Sequence, residues 1–156
     1  MPSHFPWLFR KTEEQGKIRG AQQLRKLIMG WQSLRGRFAP DFKLLMGDSK
    51  YYLPPLEDVR RILVADSIDR RRYTSQKYDC DDFTISLKNR FNLDAYRNGR
   101  RRYPYSVGML FGDLKEGPHA INIVITNREQ ILLIEAQNDS IFQIRKEDRK
   151  IVFIYF

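Results

Sequence analysis

Apolar residues at Ile18, Ala21, Leu24, Ile28, Trp31 and Leu34 recur every three or four positions. That spacing predicts one face of an amphipathic helix over residues 13–36. Gly16, Gly20 and Gly30 fall inside it, and each costs about 1 kcal/mol against alanine in a helix interior. The next stretch, FAPDFKLLMGDSKYYLPP, carries prolines and a Gly47-Asp48 step and reads as a connector. A second helix is expected over residues 56–68, opened by Pro54-Pro55, with Glu57 and Asp58 complementing its dipole. A third should run from Cys80 to about Phe91, because Phe83, Leu87 and Phe91 recur every four residues.

Beyond that point the period changes. Strands are expected at 105–111, 119–126 and 131–137, the last two joined by the turn residues NRE. A final hairpin is expected to pair 141–145 with 151–156 across KEDRK. Helices first and an antiparallel meander after predict an α+β domain. Residues 1–48 form a basic helical segment in this reading, and 49–156 the main domain. The closing strand, IVFIYF, is apolar throughout, so the core or a second subunit must cover it; a homodimer is one way.

Composition narrows the class. At 156 residues, with 42% hydrophobic and 30% charged positions, the chain fits one packed domain. One cysteine excludes an intrachain disulfide framework, and with only two histidines a structural zinc site is not expected. No stretch is apolar enough for a signal peptide or membrane span, so cytoplasmic residence is the expectation. The net charge is +9, and residues 1–46 alone hold nine Lys/Arg against three Asp/Glu. This describes either a solvated basic face or a surface for an anionic partner. Arginine runs at 70–72 and 100–102 fall where loops are expected. Nucleic-acid binding through them is the weakest reading, since no nucleic-acid module signature accompanies them.

The candidate chemistry lies in KYDCDDF, residues 77–83, and in PHAINIVIT, residues 118–126. Cys80 is expected at the first turn of the third helix, where backbone N–H groups and the dipole favour a thiolate. His119 opens one strand and Glu135 closes the next. A turn centred near residues 127–129 sets them opposite each other, where the carboxylate would orient the imidazole. Each residue also has a plainer reading: a buried thiol, a satisfied edge histidine and a solvent-facing acid.

In order and spacing, YDCDDF at 78–83, HAIN at 119–122 and IEAQ at 134–137 resemble a papain-like cysteine peptidase domain. They are most similar to the C-terminal domain of fungal chimerolectins of the Marasmius oreades agglutinin type. The likeness covers roughly residues 50–142. The resemblance implies a papain-like fold in which Cys80 is the nucleophile, His119 the general acid/base and Glu135 the orienting residue. Gln76 would be the oxyanion donor, although it is closer to the cysteine than the papain spacing. It also implies calcium, for which Asp81 and Asp82 offer carboxylates and Asn122 and Gln137 amide oxygens. The plainer role for Asp81 and Asp82 is to complement the helix N-terminus. The fungal proteins carry a sugar-binding β-trefoil before this domain, so the resemblance does not bring glycan binding to this chain. The activity expected is a cysteine hydrolase cleaving peptide or other amide bonds, with acyl transfer as a related chemistry. The alternative is a catalytically silent scaffold that binds or assembles through its basic N-terminal helix.

Overall fold

The structure is a computed structural model and describes residues 15–156. It opens with strand β1 (Lys17–Gly20), helix α1 (Ala21–Met29) and strands β2 (Phe38–Leu45) and β3 (Lys50–Leu53). Helices α2 (Leu56–Ala65) and α3 (Cys80–Arg97) follow. The chain ends with strands β4 (Val107–Leu114), β5 (Gly117–Ile125), β6 (Ile131–Glu135), β7 (Ser140–Phe142) and β8 (Lys150–Tyr155). The mixed α+β class is as expected.

A six-stranded sheet in the order β2-β8-β4-β5-β6-β7 divides the molecule, and β1 and β3 form a separate antiparallel pair. Every pairing in the large sheet is antiparallel except β2 with β8. On one face, Leu24 and Ile28 of α1 pack with Ile121, Ile123, Leu133 and Ile154. On the other, Ile62 of α2 and Phe83, Leu87 and Phe91 of α3 pack with Val124, Leu132 and Ile134. Alternate residues of β5 and β6 therefore serve different cores. A strand covered on both faces needs apolar residues at nearly every position, which accounts for the stretch INIVIT, apolar except at Asn122 and Thr126.

Several expectations need correction. The helix expected over 13–36 is only α1: Gly20 becomes its N-cap and Gly30 its C-cap. Residues 17–20 extend instead to pair with β3, and residues 13 and 14 lie outside the described residues. The supposed connector holds two strands. Pro40 had argued against β2, but β2 is an edge strand, where a missing N–H is tolerated, and its register shifts between Phe38 and Lys43. The expected final hairpin does not form, because β7 pairs with β6 while β8 lies between β2 and β4. The closing strand is thus covered within the chain, and the edge that argued for a homodimer is gone. Leu24, Ile28, Leu34 and Leu44 share a core with Leu110 and Ile154.

Among the described residues no helix is long and apolar enough to cross a membrane. One arginine run is partly structural: Arg101 stacks on the Tyr52 ring at 3.7 Å and pairs with Asp58 at 3.3 Å.

Candidate functional site

Helix α3 begins at Cys80, as the sequence predicts, and the cause is local. Asp79 is its N-cap with extended backbone, and Asp82 reaches back so that its Oδ2 accepts the Asp79 N–H at 3.1 Å. This reciprocal capping box satisfies two orphan donors of the first turn. The loop before it is closed by the Gln76 N–H donating to Asp79 Oδ2 at 3.1 Å. Thr84 Oγ1 donates to the Cys80 carbonyl at 2.7 Å.

The helix is seated on the sheet by Asn122. This buried side chain on β5 donates to the Thr84 carbonyl at 3.0 Å and to the Gly108 carbonyl at 3.1 Å. One amide therefore ties α3 to both central strands of the hairpin beneath it.

His119 and Glu135 meet as expected, though by a different register. The ladder pairs Asn122 with Ile134 and Ile123 with Leu133, so the turn centres on residue 128. Glu135 then falls opposite Ile121, and His119 lies two residues further along the same face. Such diagonal neighbours are within reach of long side chains, and His119 Nε2 lies 2.8 Å from Glu135 Oε2. The other carboxylate oxygen accepts the Gln137 backbone N–H at 3.2 Å. The bond to Glu135 raises the pKa of His119 above its ordinary value, and partial burial opposes that rise.

Cys80 and His119 line one open cleft of about 500 Å³, together with Asp81, Phe111, Gly112, Asp113, Pro118, Ala120 and Val152. Phe111, Pro118 and Val152 give it an apolar wall, while the thiol, imidazole and carboxylates supply polar groups. Sequence reasoning missed that wall. Phe111 was placed only on a strand, and nothing in the pattern says that Val152 of β8 comes beside it.

The other predicted residues are placed differently. Gln76 is exposed, has a φ of 63° and does not line the cleft. What it offers locally is its backbone N–H, which serves the helix cap, so the oxyanion role is corrected. Of Asp81, Asp82, Asn122 and Gln137, only Asp81 lines the cleft. Asp82 caps the helix, the Asn122 amide nitrogen holds α3, and the Gln137 N–H holds Glu135. The partner of Asp81 is Asp79, which the sequence reading passed over. These two carboxyls and the Cys80 sulfur have ligand atoms within 4.8 Å of one another. The hydrogen bond between the carboxyls holds Asp79 below the usual aspartate range and Asp81 above it.

Two solved structures are similar to this chain. One, described as a PSL1a-E64 complex, superposes with a TM-score of 0.78 at 20% identity, covering 89% of this chain and 50% of that one. The other is Polyporus squamosus lectin bound to the human-type influenza-binding epitope Neu5Aca2-6Galb1-4GlcNAc. Its TM-score is 0.74 at 22% identity, covering 89% of this chain and 49% of that one. At these identities the likeness shows the fold, and the chain spans about half the length of each. No curated protein matches the chain. The family described as agglutinin C-terminal matches residues 51–141. Agglutinin and lectin descriptions point to carbohydrate binding, and on that finding the expected cysteine hydrolase, thiol protease and acyl-transfer readings are withdrawn. The family match spans more than half of the sequence, and the chain belongs to the agglutinin C-terminal family.

Proposed function

We propose that this chain is a ligand-binding module of a carbohydrate-binding protein, and that its site is the cleft between the tip of α3 and the β4–β5 hairpin. The observation that carries this reading is the pairing of an apolar wall with convergent polar groups in one cleft: Phe111, Pro118 and Val152 beside Asp81, Asp113 and His119. A sugar ring is amphipathic in the same way. Its C–H face packs on an aromatic ring while its hydroxyls bond to imidazole and carboxylate groups. With His119 Nε2 engaged by Glu135, the second ring nitrogen is the imidazole's remaining polar atom. Cys80 and His119 are thereby members of a recognition surface, and Glu135 orients the imidazole. The scaffold is papain-like in arrangement, with a cysteine opening a helix beside a strand-borne histidine that is bonded to an acid.

The sialylated trisaccharide seen with the Polyporus squamosus lectin is the first ligand to try, because that protein shares this fold over about half its length. Titrating it into the ¹⁵N-labelled chain is expected to give saturable shifts at Phe111, Asp113 and His119 at millimolar ligand. Phe111→Ala should abolish them, since the half-buried ring can be truncated without opening the core. Saturable shifts elsewhere, or none at all, would remove the cleft as the glycan site.

A further inference from the structure

A second group of acids lies outside that cleft. Asp66 is the C-cap of α2, Asp69 sits in a 3-10 turn, Ile68–Arg70, and Asp139 stands in the turn between β6 and β7. Two segments far apart in sequence thus deliver the three carboxylates, Asp66 and Asp69 from one and Asp139 from the other, and an oxygen from each lies within 4.8 Å of the others. Asp66 is only 8% exposed. One of its oxygens accepts the Ile68 N–H at 2.8 Å, but the other, Oδ2, is buried with no hydrogen-bond partner. Asp139 Oδ1 is likewise buried and unpartnered. Buried carboxylate oxygens without donors are costly, and like charges around them add to the cost. Arg70 near Asp139, and Arg71 and Arg90 near Asp66, offset it only through space.

We infer that Asp66, Asp69 and Asp139 form a binding site for a divalent cation of calcium's size. Calcium takes oxygen ligands at about 2.3–2.6 Å, so oxygens around one ion stand no more than about 5 Å apart, and the three here lie within 4.8 Å of one another. The ion would supply what the two unpartnered oxygens lack and would cancel the mutual repulsion of the three acids. It would also pin the α2–α3 connector to the turn that follows Glu135. Neither the family match nor the similar structures assign these residues. The site shares none of its ligands with the cleft, so it stands whether or not the cleft binds sugar.

Calorimetric titration of CaCl₂ into the full chain, stripped with a chelator, tests this at neutral pH. Saturable binding is expected in the wild type. It should weaken about tenfold or more in Asp139→Asn, where one charged ligand becomes an amide. It should persist in the double variant Asp79→Asn/Asp81→Asn, which removes the acids beside Cys80. Saturating calcium should raise the melting temperature of the wild type and leave that of Asp139→Asn unchanged, a readout that needs no activity. Misfolding is not expected of Asp139→Asn, because it removes a repelled charge. Equal affinity in Asp139→Asn, no binding in the wild type, or loss only in the Asp79/Asp81 variant would each overturn the assignment.

Discussion

Two groups of aspartates in this molecule deal with crowded negative charge in opposite ways. At the tip of α3, Asp79, Asp81 and Asp82 are consecutive or nearly so, and their oxygens are used where they stand. Asp82 accepts the Asp79 N–H, Asp79 accepts the Gln76 N–H, and Asp79 and Asp81 hydrogen-bond through their carboxyls. At the end of α2, the tertiary fold brings Asp139 to Asp66 and Asp69 from about seventy residues away, and two of the buried oxygens have no partner. A local cluster can be neutralised by its own backbone, because helix N-termini present free donors. A cluster assembled from distant segments has no such supply. Carboxylates beside a thiol are therefore a weaker sign of a cation than their position suggests, and the stronger sign lies in the group that the backbone leaves unsatisfied.

Substitutions should separate the two groups by sign. The largest effect is expected at Asp139, whose pKa is raised to about 6 by burial and then by the charges of Asp66 and Asp69. A carboxyl with a raised folded pKa contributes stability that is fully present below its unfolded value and is lost as pH rises through about 6. Discounted for solvent screening at this partly buried position, the penalty at pH 7 comes to about 1 kcal/mol. Without calcium, Asp139→Asn should therefore be more stable than the wild type by about that amount in urea. The gain should grow from pH 4 to pH 6 and then level off. A loss of stability at neutral pH would show that Asp139 has a partner in solution and would erase the contrast. At the other group the sign reverses. Asp82→Ala removes half of the capping box and should cost about 0.5–1 kcal/mol in the same assay. A neutral result there would mean that the cap is not what holds this acid.

The contrast also explains what could be read from the sequence. The start of α3 was legible because it depends on adjacent residues, with Asp79 as the cap and Phe83, Leu87 and Phe91 as the buried stripe. The meeting of His119 with Glu135 was legible because it depends on one short turn, and an error of two residues in register kept both on one face. Strand β2 was not legible. Its partner is β8, more than a hundred residues later, and Pro40 hides an edge strand from any local rule. Gly20 and Gly30 were read as flaws in one long helix when they are its ends. Asp139 gave no signal at all, since its neighbours Asp66 and Asp69 lie on the far side of α3 in the chain. Proximity created by the tertiary fold was what sequence pattern could not supply, and the missed residues share that origin.

The smallest effect, and the most local, concerns the pair that the sequence did anticipate. His119 has a raised pKa because Glu135 bonds its Nε2, while burial pulls the other way. Its charged form is thus favoured in the fold, and the associated stability is present below the unfolded value and lost as pH rises through the folded one. Glu135→Gln keeps the shape and a hydrogen-bond acceptor but removes the charge, leaving burial as the dominant influence. Imidazole resonances followed by NMR should then show His119 titrating at lower pH in Glu135→Gln than in the wild type. An unchanged titration would mean that Glu116, the next acid acting on His119, or solvent sets the value instead. Because neither Asp79 nor Asp139 appears among the groups acting on His119, Asp139→Asn should leave this titration where it is. If it moves, the two acidic groups are not independent, and the turn that carries Asp139 passes its state to Glu135.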